Sequence, residues 1–194
     1  MSISTKREQG RERILDAART IFAEAGLEGA SLRAIAARAG YTPAALYFHF
    51  DSREAIYAAL LQASLLELRA DVGAAAQGGP RQAFRAGALA LFDFYAARPQ
   101  DLALGLYLGP GSPAPRGLGA EIDPELNAAL IDALAPIRTA AAGFCDDPDA
   151  LLAQAFAQAV GLLVLAETRR LRLFSQAARG LMEAMLAALL EARP

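Results

Sequence analysis

The stretch SLRAIAARAGYTPAALYFHFDSR, Ser31 to Arg53, reads as two short helices joined by a tight turn, each with its own start signal. Leu32, Ile35, Ala36 and Ala39 recur at i, i+3, i+4 and i+7, one apolar stripe at helical period. Ser31 precedes that stripe as an N-cap, with a hydroxyl able to accept from a backbone N–H that the helix leaves free. Gly40 follows Ala39 where a chain leaving a helix turns through the left-handed region, which glycine enters at least cost. Thr42 then caps a second helix, and Pro43 at its first position gives up only a donor that had no partner. Leu46 and Phe50, four apart, anchor this helix in a core. The pattern is a helix-turn-helix, and it points to DNA.

The second helix keeps Thr42, Ala44, Ala45, Tyr47, Phe48 and His49 for its outer face. Small residues at its N-terminal end, Pro43 among them, let it enter a groove closely. Tyr47 is the firmest expected contact, through a hydroxyl that can bond a phosphate; the competing reading packs its ring on Phe22 or Ala18. His49 is read as a phosphate donor. Arg33, early in the first helix, is either a base or phosphate contact or a solvated surface arginine. Asp51 with Glu54 three residues on resembles a capping box opening a further helix, whose first turn offers Arg53 as a phosphate clamp. Pro43, Ala44 and Ala45 lack hydrogen-bonding side chains, so base readout is expected from thymine methyl contacts, backbone, Arg33 and water.

These residues carry a resemblance. Ile14 to Leu32 (ILDAARTIFAEAGLEGASL), Ile35 to Phe50 (IAARAGYTPAALYFHF) and Arg53-Glu54-Ala55-Ile56 together resemble the DNA-binding domain of the TetR family of bacterial transcriptional regulators. Leu46-Tyr47-Phe48-His49-Phe50 is the most specific part, and Arg53 departs from the lysine the family often has. The resemblance covers the first third of the chain. It implies a DNA-binding domain over residues 1–52 and a ligand-binding and dimerisation domain over 53–194, a two-fold dimer on a palindromic operator, and release by a small-molecule effector.

Composition is consistent with that expectation. The chain has 194 residues, enough to bury a stable core without staples, and a single cysteine, Cys145, so no internal disulfide can form. With a polar start, MSISTKREQGRER, this suggests a cytoplasmic protein without an export signal. The longest apolar run, Ala159 to Ala166, falls short of a membrane span, so no membrane partner is expected. Net charge is −2, yet residues 1–57 hold eight Lys or Arg against seven Asp or Glu. So weak a basic footprint requires a few well-placed phosphate contacts.

Chemistry of other kinds is poorly served. His49 is the sole histidine and Cys145 is far from it, so no metal cluster or nucleophile with its base is legible; no enzyme activity and no cofactor are expected. The other function classes weighed are a small-molecule-binding helical protein and a non-specific DNA-binding protein.

The remainder reads as all-α. The N-terminal helix carries Ile14, Leu15, Ala18, Ile21, Phe22 and Ala25 and ends at Gly26. Further helices are expected over Ser52–Ala76, Pro80–Arg98, Asp101–Leu108, Asp123–Gly143, Asp147–Leu173 and Gln176–Ala192, with a glycine- and proline-rich loop from Gly109 to Gly119. By the resemblance, Leu61, Leu65, Phe84, Phe92, Tyr95, Leu104, Tyr107, Leu108 and Phe144 would line an apolar ligand pocket, with Asp93 or Asn127 as polar groups; core filling is the competing reading. Leu152, Phe156, Leu163 and Val164 on one helix and Leu181, Met185 and Leu189 on the next would form a four-helix dimer interface, or else complete a monomer core.

Overall fold

In the computed structural model, residues 3–106, 118 and 120–192 are described. They form nine α-helices and one 3-10 turn, with no strand among the described residues. The chain is all-α.

The helices run α1 Ile3–Gly29, α2 Leu32–Ala39, α3 Pro43–Tyr47, α4 Arg53–Ala75, α5 Pro80–Ala97, α6 Pro99–Gly105, α7 Ile122–Ala142, α8 Pro148–Glu167 and α9 Ala178–Glu191, with the 3-10 turn Arg170–Phe174 before α9. Two compact units divide them: Met1–Ser64 with Gln100–Ala128, and Leu65–Pro99 with Ala129–Pro194. The expected boundary after residue 52 falls inside the first unit, because Ile56, Tyr57, Leu60 and Leu61 of α4 belong to the core that α1, α2 and α3 build.

In that first core Ile14, Ala18, Phe22, Ile35, Ala36, Leu46 and Phe50 are buried, as the periodicity requires. Phe22 meets Tyr57 edge-on at 4.9 Å between ring centroids, and the Tyr57 hydroxyl donates to the Leu104 carbonyl at 2.7 Å. Ser64 Oγ donates to the buried Asp101 carboxylate at 3.0 Å. These two bonds fasten α6 along the first half of α4.

In the second unit, Phe84, Leu91 and Phe92 of α5, Ile137 of α7, Leu151 and Ala155 of α8, and Met182 and Leu186 of α9 fill the core. Phe84 meets Phe144 edge-on at 5.7 Å. Arg179 Nε donates to Asp93 at 2.9 Å and Arg81 reaches the Leu190 carbonyl at 2.7 Å, both joining α5 to α9.

Several expected element ends differ. α3 stops at Tyr47 rather than near Phe50, although Phe50 N–H still donates to the Leu46 carbonyl at 3.1 Å and both side chains stay buried. Ser52, not Asp51, caps α4: its Oγ accepts from Ala55 N–H at 3.0 Å, which puts Glu54 at the second helical position, too early for a capping box. α6 begins at Pro99, two residues before the expected start. α8 ends at Glu167 rather than Leu173, where the Thr168 hydroxyl turns back onto the Val164 carbonyl at 2.8 Å and Arg169 takes a left-handed conformation (φ 58°). The Gly109–Gly119 loop, Tyr107 and Leu108 lie outside the described residues, save Leu118.

The membrane expectation rested on an uninterrupted apolar run. As a helix, α8 is long and apolar enough to cross a membrane by length and composition, with mean hydropathy 1.7 in its best window and 28% of that window buried. The two glutamines within it broke the run in sequence but not the apolar character of the helix.

The caps of the helix-turn-helix are formed as expected. Ser31 Oγ accepts from Ala34 N–H at 3.1 Å and Thr42 Oγ1 from Ala45 N–H at 3.2 Å. Either hydroxyl removed as alanine is expected to cost about 1 kcal/mol. Chemical unfolding of Ser31→Ala and Thr42→Ala would measure it, Thr42→Ala also weakening DNA binding by loosening α3.

Candidate nucleic-acid interface

The turn between α2 and α3 is built by Gly40 (φ 75°), whose N–H donates to the Ala37 carbonyl at 3.2 Å while Tyr41 N–H donates to Ala36 at 2.8 Å. This paired closure satisfies the last carbonyls of α2 and aims the chain directly into the Thr42 cap. Leu46, fully buried, and Phe50 then pin the underside of α3. A helix of five residues has no stability of its own. Its orientation comes from those two anchors and the cap.

On the opposite side Thr42, Pro43 and Ala44 are exposed, Ala45 is half-buried, and the rings of Tyr47 and Phe48 stand out at 54% and 80% exposure. Tyr47 therefore does not pack on Phe22 or Ala18. Two neighbouring aromatic rings left in water beside small residues make a surface shaped for a partner. Arg33 is exposed on α2 with no ion-pair partner among the described residues. Ser31 is exposed at the start of α2.

Two expected contacts are placed differently. His49 is half-buried and turned toward α1, its ring 5.8 Å from that of Tyr41 and its Nδ1 buried without a partner. The chain leaves the helix at Tyr47, and the turn that follows swings residue 49 to the inner side. Arg53 is half-buried: its Nε donates to Glu54 at 2.8 Å and it approaches the Ala30 carbonyl at 3.4 Å. The guanidinium thus ties the start of α4 to the connector before α2.

Burial works most strongly, to raise the Glu54 carboxyl, but the hydrogen bond and charge of Arg53, the backbone N–H of Glu54 and the Ser52 hydroxyl together outweigh it and hold Glu54 below the usual glutamate range. A carboxylate depressed in the folded state stabilises above its ordinary value and loses that contribution as pH falls through the folded one. Urea midpoints of the protein and of Glu54→Gln are accordingly expected to differ at neutral pH and to converge as the pH falls below the usual glutamate range.

The expected pocket residues that are described divide between the two units. Leu61 and Leu104 are buried in the first unit, and Leu65, Phe84, Phe92 and Tyr95 in the second; Phe144 is half-buried beneath Arg81. Asp93 is exposed and held by Arg179, and Asn127 is exposed, so neither is an inward polar group. A groove of about 540 Å³ in the second unit is lined instead by Arg69, Gly73, Gln77, Asp132, Pro136 and Thr139. Sequence reasoning missed it, because its walls are small or polar residues with no apolar stripe to signal them. Pro136 inside α7 was the available sign.

On α8 and α9, Leu152, Phe156, Val160 and Val164 and Leu181, Met185 and Leu189 are half-buried, whereas Leu163 is buried within its own unit. Leu163 lies one residue off the 152–156–160–164 row and faces inward, which corrects its assignment to the interface. Ala153, Ala157 and Gly161 lie exposed beside that row.

A capped reading helix, a glycine-closed turn and a supporting three-helix core define a helix-turn-helix DNA-binding domain. Residues 14–60 match the family model of the bacterial regulatory proteins of the TetR family. The HTH-type transcriptional regulator UidR of Escherichia coli K12 is 42% identical over 60 residues; the match spans 31% of this chain and 31% of that regulator's length. A protein of unknown function from Rhodococcus sp. RHA1 shares the fold with TM-score 0.73 and 27% identity, covering 95% of both chains. A transcriptional regulator of the TetR/AcrR family from Thermobifida fusca does so with TM-score 0.67 and 22% identity, covering 93% of this chain and 96% of the other. Over residues 14–60 the chain thus matches the DNA-binding part of the TetR family of bacterial regulatory proteins.

Proposed function

We propose that the protein is a dimeric transcriptional repressor that binds a palindromic operator and is released from it by a small, largely apolar effector. The observation that carries the DNA-binding part is the exposed Tyr47–Phe48 surface on a helix whose other side is locked by Leu46 and Phe50. Residues 1–52 would do the reading, with the first turns of α4 completing their core, and the rest of 53–194 the sensing and dimerisation. Ser31, Arg33, Thr42, Pro43, Ala44, Ala45, Tyr47, Phe48 and Arg53 would form the DNA surface, with His49 behind it against the Tyr41 ring.

The dimer is supported by α8. It carries no charged residue from Ala150 to Ala166, yet leaves Leu152, Phe156, Val160 and Val164 only half-covered. A second copy laid on this row and on Leu181, Met185 and Leu189 of α9 would cover it, with Ala157 and Gly161 allowing close approach. Two reading helices related by two-fold symmetry then require a two-fold symmetric site.

An effector acts by binding one conformation of the dimer better than the other, so that its differential affinity sets the change in operator affinity. α4 begins beside the reading helix and continues into the second unit, which makes it the lever for that shift. Titration of the protein–operator complex with apolar small molecules extracted from the native host tests the release step. A saturable loss of operator affinity supports it, and unchanged affinity with every extract that binds and raises the melting temperature refutes it.

A further inference from the structure

Beside the turn that leads into α3 lies a cluster of which the helix-turn-helix reading uses only His49: Gly10 and Arg13 of α1, Tyr41 and His49. Arg13 donates from one terminal nitrogen to the Tyr41 hydroxyl at 2.8 Å, and its guanidinium lies 5.3 Å from the centre of the Tyr41 ring. The Tyr41 ring in turn meets His49 edge-on at 5.8 Å. Gly10 makes the arrangement possible. A Cβ there would stand 2.9 Å from the Tyr41 hydroxyl and 3.0 Å from His49 Cε1, so any larger residue pushes the pair away from α1.

We propose that Arg13 is a phosphate-contacting residue of the DNA interface, and that Tyr41 and Gly10 are the positioning residues that hold its guanidinium at the entrance to the reading helix. Three observations carry this, and the inference rests on the DNA-binding reading. Arg13 is exposed and has no carboxylate partner among the described residues, whereas Arg38 and Arg53 of the same domain are drawn to Glu24 and Glu54. Its fixed position is unusual for a surface arginine, since a hydrogen bond and a ring face both hold a side chain that otherwise loses much rotamer freedom on binding. The holder, Tyr41, immediately precedes Thr42, whose hydroxyl caps α3. One donor of the guanidinium is spent on Tyr41. The others belong to an exposed planar fork of the kind that matches phosphate oxygens.

The domain's charge makes such a contact consequential. With one net positive charge over residues 1–57, each phosphate contact is a large share of the electrostatic affinity. A phosphate contact carries no sequence information, so its loss weakens operator and unrelated duplex alike and makes the dependence of log affinity on log salt shallower.

Fluorescence anisotropy against a mixed-sequence duplex and a selected operator, from about 50 to 200 mM salt, reads this out. Arg13→Gln is expected to bind both duplexes at least several-fold more weakly, with the salt slope shallower by about 0.9 per bound protomer. Tyr41→Phe, which keeps the ring but releases the tether, is expected to lower affinity in the same sense, as is Gly10→Ala. Arg13→Lys should recover the slope and part of the affinity, an outcome that a merely structural role would not produce. If Arg13→Gln proves unstable, Tyr41→Phe carries the test. An unchanged slope in a variant that still binds DNA overturns the proposal alone; a wild-type protein that binds neither duplex overturns the DNA-binding reading with it.

Discussion

Phe156→Asp should convert the protein to a monomer and lower operator affinity by about 100-fold or more, while leaving the helical content intact. Phe156 is half-buried in the middle of the apolar row on α8, with Leu152 and Val160 one turn to either side. In a monomer the substitution is tolerable, because the carboxylate can reach water. In a dimer it would place two unpaired charges in the centre of an apolar interface, where desolvation costs several kcal/mol. The effect on DNA follows from linkage: once one reading helix is bound, the second binds at an effective concentration set by the dimer, worth about 10² to 10⁴ in affinity. Sedimentation together with operator titration would check both halves. A variant that stays dimeric would move the interface off α8, and one that becomes monomeric without losing operator affinity would remove the need for two reading helices.

Leu46→Ala is the second large expectation. Leu46 is fully buried, and truncating such a side chain costs about 2–5 kcal/mol, including the cavity left behind. That is a substantial share of the stability of a domain of this size. The loss should concentrate in the first unit, where Leu46 and Phe50 are the anchors of a five-residue helix. Hydrogen exchange would show α2 and α3 opening first, with the backbone amides of α5 and α9 protected as before. DNA affinity should fall with the population of ordered α3. Equal loss of protection in both units would mean that they unfold as one.

The helix-turn-helix was legible because each feature had a local cause. Ser31 and Thr42 cap with hydroxyls, Gly40 turns left-handed, and Leu46 and Phe50 keep helical spacing; all of these act within a few residues and leave a mark in sequence. His49 was read as outward because the helix was extended through it. Its true direction is decided by the close approach of Gly10, far back in the chain on α1, and by the Tyr41 ring across the turn, contacts that no helical period announces. Leu163 is a similar case. An apolar residue on an apolar helix gives no sign of whether its own chain or another covers it, so the buried Leu163 and the half-buried Val164 read alike.

The expected pocket residues cannot be told from core in sequence for the same reason: aromatic and aliphatic side chains on facing helices fill a bundle as readily as they line a void. Phe84 against Phe144 is filled core. The boundary after residue 52 followed the cap of α4, which is real, yet a cap ends a local element and not a packing unit. Tyr57 and Ser64 beyond it reach to α6 through single hydrogen bonds, which join segments far apart in sequence. Arg13 escaped notice because an arginine on an amphipathic helix is ordinary until its partner is known.

The most direct measurement is selection of randomised duplex DNA on the purified protein, followed by sequencing of what is retained and by repetition with Tyr47→Ala. Enrichment of a two-fold symmetric sequence that disappears with Tyr47→Ala is the expected result. Retention of DNA without any enriched sequence, or an enriched sequence lacking two-fold symmetry, would contradict a dimeric regulator that reads its operator with α3.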